Sequence, residues 1–358
     1  MLTGNKGEWS EIYVFLKLLA DGRLNAADAN LNAIPTVYYP IIKILRQENT
    51  IRREYRINGN IKIVDGNNNE LLNLPITEFV SRSQQLFTEL RSAEGRSFAF
   101  ADIEAFLNSI DINSLTALKT DKADIKVVVH DLNTGMQPQL GFSIKSMLGG
   151  NSTLFNPGNT TNFIYEILGE GELNIAEINA IDISPKIANR ISEIIARGFE
   201  VKFQKIQSAT LQLNLQLIDS DLPQILAELL LLKYSTPGLA VLAPILRQLT
   251  INNPLHFDLS QGHPFYEYKI KNFLTDSALG MTPSTMWTGQ YDATGGIIIV
   301  KGNGELVCYH IYNRNEFQNY LLNNTRLEQA STSRYNFGDL YCDNGRTFLK
   351  LNLQVRFN

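Results

Sequence analysis

Ala123-Asp124-Ile125-Lys126-Val127-Val128-Val129-His130-Asp131-Leu132-Asn133-Thr134-Gly135, followed by Gly141-Phe142-Ser143-Ile144-Lys145-Ser146, is the stretch on which the fold turns. Ile125 to Val129 is β-branched and apolar, and Asn133-Thr134-Gly135 is a turn signal. The whole therefore reads as a β-hairpin. With the turn centred between Thr134 and Gly135, Asp124 faces Lys145, Lys126 faces Ser143 and His130 faces Gln139. Directly opposed residues share a sheet face, so Asp124, Lys126, Ser143 and Lys145 project together. Asp131 is the rival acid, but it lies seven residues from Asp124, roughly 23 Å along an extended strand, and so belongs to the turn. Taken alone, an acid–lysine pair on a strand is more often a solvent-facing salt bridge than a site. The flank argues for a site: Met147-Leu148-Gly149-Gly150-Asn151-Ser152-Thr153 is small and polar, where backbone can approach a phosphate closely.

At 358 residues the chain can bury a large core, in one large or two moderate domains. No apolar run reaches the length of a membrane span, and the N-terminus has no signal-peptide pattern. The two cysteines, Cys308 and Cys342, are too far apart for a CxxC motif, which implies a reducing, cytoplasmic setting. A net charge of −4 counts against a polycation that coats nucleic acid, although an acidic molecule can still concentrate positive charge in one cleft. Asparagine and glutamine are abundant and can read base edges; abundance alone is equally a compositional habit. The four histidines (His130, His256, His263, His310) have neither the spacing of an HNH nuclease nor that of a zinc site.

Around the hairpin, residues 8–19 form a helix that is apolar nearly all round and hence buried. Its first turn carries Glu8 and Glu11. Acids there offset the helix dipole, yet a carboxylate on a buried helix wants a partner. Residues 52–64 read as a hairpin with an Asn-Gly turn. It is locally basic, with Tyr55 between arginines. Arg52 and Arg56 are its candidate contacts to a nucleic-acid backbone; a solvated hairpin is the plain alternative. Helices follow at 77–91 and 102–109. Asn159-Thr160-Thr161 reads as the cap of a short helix through Leu168 that carries Glu166 and stops at Gly169. A helix near 185–197 leads into an alternating strand over 199–205. Leu211, Leu213, Leu215 and Leu217 alternate with polar residues and read as another half-buried strand. Two apolar helices, near 221–234 and 238–249, complete this part. From 251 onward short strands dominate. Residues 297–300 and 306–312 flank Gly302-Asn303-Gly304 as a second hairpin, and a polar helix near 314–323 follows. In 331–338, Arg334 sits among hydroxyls, suited to a phosphate or a guanine edge, or to no task at all.

Three blocks carry a family resemblance. Residues 4–19, the 123–166 block with Gly-Phe-Ser-Ile-Lys-Ser and Thr-Asn-Phe-Ile-Tyr-Glu, and the 309–338 block with Tyr-His-Ile-Tyr-Asn-Arg together resemble the HpaII type II restriction endonuclease family, one of the PD-(D/E)XK nucleases. The resemblance implies an α/β (α+β) fold, with a PD-(D/E)XK core of central mixed sheet flanked by helices in 1–250. A β-rich DNA-recognition region in 251–358 completes that expectation. It also implies Mg²⁺-dependent cleavage of double-stranded DNA at 5′-CCGG-3′ between the two cytosines, leaving 5′-phosphates, blocked by cytosine methylation, by a homodimer or transiently paired chains. Asn162 and Arg314, within the resembling blocks, join Arg52, Arg56 and Arg334 as DNA-binding candidates. Asp124 falls on the family's metal-binding acid and Lys145 on its lysine, which would position or activate the attacking water.

Ser143 stands where the family usually has Asp or Glu. Mg²⁺ is held by one or two carboxylates plus waters and phosphate, and a serine cannot supply the missing charge. The second carboxylate must come from elsewhere. Glu166 is one candidate, since some relatives with Ser-x-Lys move the acid downstream; Glu11 is another, with Glu8 behind it. The departure at Ser143 also leaves open a catalytically silent DNA-binding module, or a repair nuclease of the same fold.

Overall fold

The computed structural model describes residues 1–48, 50–116, 123–132 and 134–358. Two compact units emerge: Met1–Ser152 with Ala278–Gly280 and Tyr291–Tyr320, and Thr153–Ser277 with Met281–Gln290 and Leu321–Asn358. This division differs from the expected one at residue 250, because strand pairing carries the 296–310 hairpin back to the first unit's sheet.

In chain order the first unit opens with α1 (Lys6–Asp21), β1 (Arg23–Ala27), β2 (Ala33–Glu48), β3 (Ile51–Asn58), β4 (Asn60–Val64), β5 (Glu70–Pro75), α2 (Ile76–Ser92), α3 (Ala101–Ser109), β6 (Ile125–Val129) and β7 (Gln139–Ser146). Next come β8 (Thr153–Phe155), β9 (Asn162–Leu168), α4 (Ile175–Asn179), α5 (Lys186–Ala196), β10 (Glu200–Ile206), α6 (Ala209–Ile218), α7 (Leu222–Ser235), α8 (Leu242–Asn252) and α9 (Phe265–Leu279). The chain ends with β11 (Gly296–Val300), β12 (Leu306–His310), α10 (Arg314–Asn323), β13 (Thr325–Leu327), α11 (Thr332–Tyr335), β14 (Leu340–Asp343), β15 (Arg346–Asn352) and β16 (Val355–Phe357).

The helix α1 starts two residues before its expected position because Asn5 caps it. The Asn5 side chain accepts from the N–H groups of Gly7 and Glu8, and Glu8 in return accepts from the Asn5 N–H at 2.9 Å. Glu8 is thereby committed to a capping box. Gly22, at φ +64, ends the helix with its N–H on the Leu18 carbonyl.

The first unit's sheet has nine strands in the order β1-β12-β11-β7-β6-β2-β3-β4-β5. It is mixed: β1/β12 and β7/β11 are parallel and the other pairs antiparallel. It is not, however, a simple open sheet flanked by helices. β1 also pairs with β2, so six strands, β1, β12, β11, β7, β6 and β2, close into a barrel. The sixteen-residue β2 makes closure possible. Residues 33–40 pair with β1, and after a bulge between Ile41 and Lys43 the rest pairs with β6 and β3. Such a bulge bends the strand and increases its twist. The buried face of α1, including Trp9, Ile12, Phe15, Leu16 and Leu19, joins the core with Ile44, Val127, Phe142 and Ile298.

The second unit holds a four-stranded antiparallel sheet, β10-β9-β15-β14, and a three-stranded one, β13-β16-β8. Two expectations fail here. The short helix expected through Leu168 is the strand β9, preceded by a single 3₁₀ turn at Asn159–Thr161. Its run of aromatic and β-branched residues sits between β10 and β15 and is buried on both faces. Conversely, the expected strand over Leu211–Leu217 is the helix α6, capped by Ser208, whose Oγ accepts from the Leu211 N–H. The region from 251 also carries more helix than expected: α9 stands where short strands were expected, with Tyr266, Ile270, Phe273, Leu274 and Ala278 burying one helical stripe.

Candidate active site

In β6 and β7 the paired residues sum to 267, not 269: Ile125 opposes Phe142, Lys126 opposes Gly141 and Val128 opposes Gln139. The loop sets this register. The Asp131 N–H donates to the Met136 carbonyl and the Gly135 N–H to the Asp131 carbonyl, with Gly135 at φ +72. Asn133, part of the expected turn signal, lies outside the described residues. A shift of two keeps every side chain on its face, but it changes the neighbours. Asp124 now stands beside Ser143 instead of opposite Lys145.

The consequence is a hydrogen-bonded chain. The Lys145 Nζ donates to the Ser143 Oγ at 3.0 Å, and that hydroxyl donates to the Asp124 Oδ2 at 3.1 Å. The Ile144 N–H donates to the same Oδ2 at 2.6 Å, and the Asp124 N–H donates to the Phe142 carbonyl. Oδ1 of Asp124 has no hydrogen-bond partner among the described residues. Ser143 is buried, while Asp124 and Lys145 are half-buried.

The helix α1 brings in the next group. The Ser10 Oγ lies 2.8 Å from the Ser146 Oγ, joining the first turns of α1 to the end of β7. Glu11, the next residue, thereby feels Asp124 and Lys145. Burial, first, and the charges of Asp124 and Glu8 push its pKa up to about 8, while Arg46 and Lys145 pull it down. Its carboxylate has no hydrogen-bond partner among the described residues. Arg46 itself is held by Glu48 and the Ser114 carbonyl. Ser10, Ser146 and Arg46 escaped the sequence reading, since each acts through a contact between segments distant in the chain.

Among the described residues no three or more His, Cys, Asp or Glu side chains group to hold a metal ion. The donors present are two: Asp124 through its open Oδ1, and Glu11. Two carboxylate donors, completed by waters and phosphate, suit Mg²⁺. The remaining candidates have other surroundings. Asp131 is buried in the hairpin loop and accepts from the Thr134 hydroxyl at 2.7 Å. Glu166 is on β9, not on a helix, and accepts from Gln204 at 2.8 Å with Arg346 at 3.4 Å. Asn162 is fully buried. Its amide donates to the Tyr335 carbonyl and accepts from Asn352, which leaves it nothing to offer a DNA strand. Arg56 pairs with Glu54, and Tyr55 beside it is buried with its hydroxyl on the Ile110 carbonyl. Arg52 is exposed on β3, Arg314 is exposed at the start of α10, and Arg334 is exposed over the Tyr335 ring.

The chain matches the HpaII restriction endonuclease family over residues 5–357. It is 44% identical over 357 residues to the type II restriction enzyme HpaII of Haemophilus parainfluenzae, an alignment covering 99% of this chain and 98% of that one. No solved structure matches it.

Proposed function

The chain belongs to the HpaII restriction endonuclease family and is a type II restriction endonuclease, and from that premise we propose that it cuts both strands of 5′-CCGG-3′ between the two cytosines, with Asp124, Ser143, Lys145 and Glu11 as its active site. The observation that carries the reading is the Lys145–Ser143–Asp124 chain, with the Glu11 carboxylate within electrostatic reach of Asp124 and Lys145.

Asp124 and Glu11 would hold a divalent cation, which when bound neutralises charge developing on the phosphate and acidifies a water. Lys145 places an ammonium where an oxyanion can be stabilised. Ser143 couples the two ends: it accepts from the lysine and donates to Oδ2 of the aspartate, fixing the lysine's reach and leaving Oδ1 of Asp124 for a cation. Ser143 therefore orients the charged groups rather than replacing the acid usual at its position. Arg52, Arg314 and Arg334, all exposed, remain candidates for contacts to the duplex.

Digesting a plasmid of known sequence with and without CpG methylation tests the specificity. Fragments ending within CCGG from the unmethylated plasmid alone are expected; cutting elsewhere, or indifference to methylation, would refute it. For the site, Asp124→Ala and Lys145→Ala should each abolish cleavage while retaining DNA binding in Ca²⁺. Full activity in either variant sinks the assignment, and loss of cleavage in Asp131→Ala but not Asp124→Ala would move the acid to the loop.

A further inference from the structure

Three segments of the first unit line an open cleft of about 680 Å³ at the end of β7: residues 5–7 at the start of α1, residues 93–98 after α2, and the Ser146–Ser152 loop. Hydrogen bonds hold the walls of the cleft in place. Gly4 and Phe98 exchange backbone hydrogen bonds of 3.0 and 2.8 Å, which fixes the 93–98 segment to the head of α1. The Ser10–Ser146 hydrogen bond fixes α1 to β7. Gly149 packs so closely on Lys6 that an added Cβ would lie 3.2 Å from the lysine's own, whereas one at Gly150 would meet nothing.

Two cations line this space, Lys6 and Arg96, and neither has an ion-pair or hydrogen-bond partner among the described residues. Glu94 is the single acid on the wall among the described residues. The helix end itself is not the attraction, since Asn5 already satisfies the N–H groups of Gly7 and Glu8. What remains is two free positive side chains facing a glycine-rich loop whose backbone a bulky anion can approach closely. Gly149 is four residues beyond Lys145 in the chain, so their Cα atoms lie no more than about 14 Å apart, a few nucleotides along one strand.

The geometry points to a backbone clamp for the cleaved strand: Lys6 and Arg96 hold DNA phosphates flanking the scissile one, against Gly149 and Gly150. This rests on the reading of Asp124, Ser143 and Lys145 as the cleavage site, because that places the cut beside the cavity. Phosphate contacts set register and carry no base information. The clamp therefore accounts for affinity and for the position of the cut, and not for the choice of sequence.

The test is equilibrium binding of the full chain to a short duplex bearing one 5′-CCGG-3′ site, in Ca²⁺, over a range of salt concentrations. Each phosphate contact contributes about 0.9 to the slope of log affinity against log salt. Lys6→Ala and Arg96→Ala should each flatten that slope by about 1, and the double variant by about 2. Lys6→Arg should keep the wild-type slope. A matched duplex lacking the site should show the same flattening, since the contact ignores sequence. Unchanged slopes, or weaker binding at an unchanged slope, overturn the clamp. Asp124→Ala serves alongside: if it still cleaves, the active-site reading fails, whereas the slopes judge Lys6 and Arg96 on their own.

Discussion

Ser143 accepts a hydrogen bond from one charged group and donates one to another, which a hydroxyl can do and a carboxylate cannot. Removing it leaves Asp124 with only the Ile144 N–H on Oδ2 and frees the Lys145 ammonium to swing. Ser143→Ala should therefore lower the cleavage rate by about 10- to 100-fold, the usual cost of losing a group that orients ligands, without changing DNA affinity in Ca²⁺; an unchanged rate would show that the serine orients nothing. The two candidate carboxylates have different surroundings. Glu11 shares the surroundings of Asp124 and Lys145, while Glu166 is engaged by Gln204 and Arg346 on its own sheet. Glu11→Gln, which keeps volume and removes charge, should abolish plasmid cleavage. Glu166→Gln should cleave at close to the wild-type rate, and the reverse outcome would restore the downstream acid.

At the scale of elements, Leu211, Leu213, Leu215 and Leu217 show how a period can mislead. Alternate positions satisfy a strand's repeat of two, but Leu211 and Leu215 are also four apart, which satisfies a helix. The cap at Ser208 decides it. Leu211 and Leu215 are fully buried, whereas Leu213 and Leu217 are 64% and 57% exposed. Leu211→Ala should cost about 2–5 kcal/mol of unfolding free energy, while Leu213→Ala should stay within about 0.5 kcal/mol; equal losses in urea titrations would be the signature of a strand. Elements with a cap, a turn residue or a helical apolar stripe of their own were legible: α1, the Asn58-Gly59 hairpin, α2, α5 and the β11/β12 hairpin lie within two residues of where the sequence puts them. The face shared by Asp124, Ser143 and Lys145 was legible too, since a slip of two preserves it. The order of contact along that face was not, because it depends on how Asp131 closes the loop. The strand β9 was misread because Asn159-Thr160-Thr161 forms only one turn before the buried run takes over.

Over the whole first unit, closure of the six-strand ring rests on pairings between residues 25–26 and 307–308, a separation across which no local pattern in the sequence speaks. His310, at the end of the ring strand β12, is a chemical marker of that closure. It is buried against Tyr39 of β2 at 4.9 Å, Phe142 of β7 at 6.2 Å and Tyr312 at 4.2 Å between ring centres. Its Nδ1 accepts from the Tyr312 N–H at 3.1 Å, and its buried Nε2 meets no hydrogen-bond partner among the described residues. Burial lowers its pKa from 6.5 to about 4, against an opposing pull from Asp131. A histidine with a depressed folded-state pKa stabilises the fold fully above its unfolded value, and that stability is lost as pH falls from 6.5 through 4. The lost increment is at most about 3 kcal/mol, at 1.36 kcal/mol per unit. Protonation would also place a proton on the nitrogen that now accepts from Tyr312, so the hydrogen bond by which His310 caps the 3₁₀ turn after β12 is broken in the same step. The urea midpoint of the wild-type chain should therefore fall steeply between pH 6.5 and pH 4. In His310→Gln the midpoint should be lower at neutral pH, because the ring packing is lost, but flatter with acid over that window. Parallel pH profiles in the two proteins would mean that His310 is not the group whose charging opens the ring.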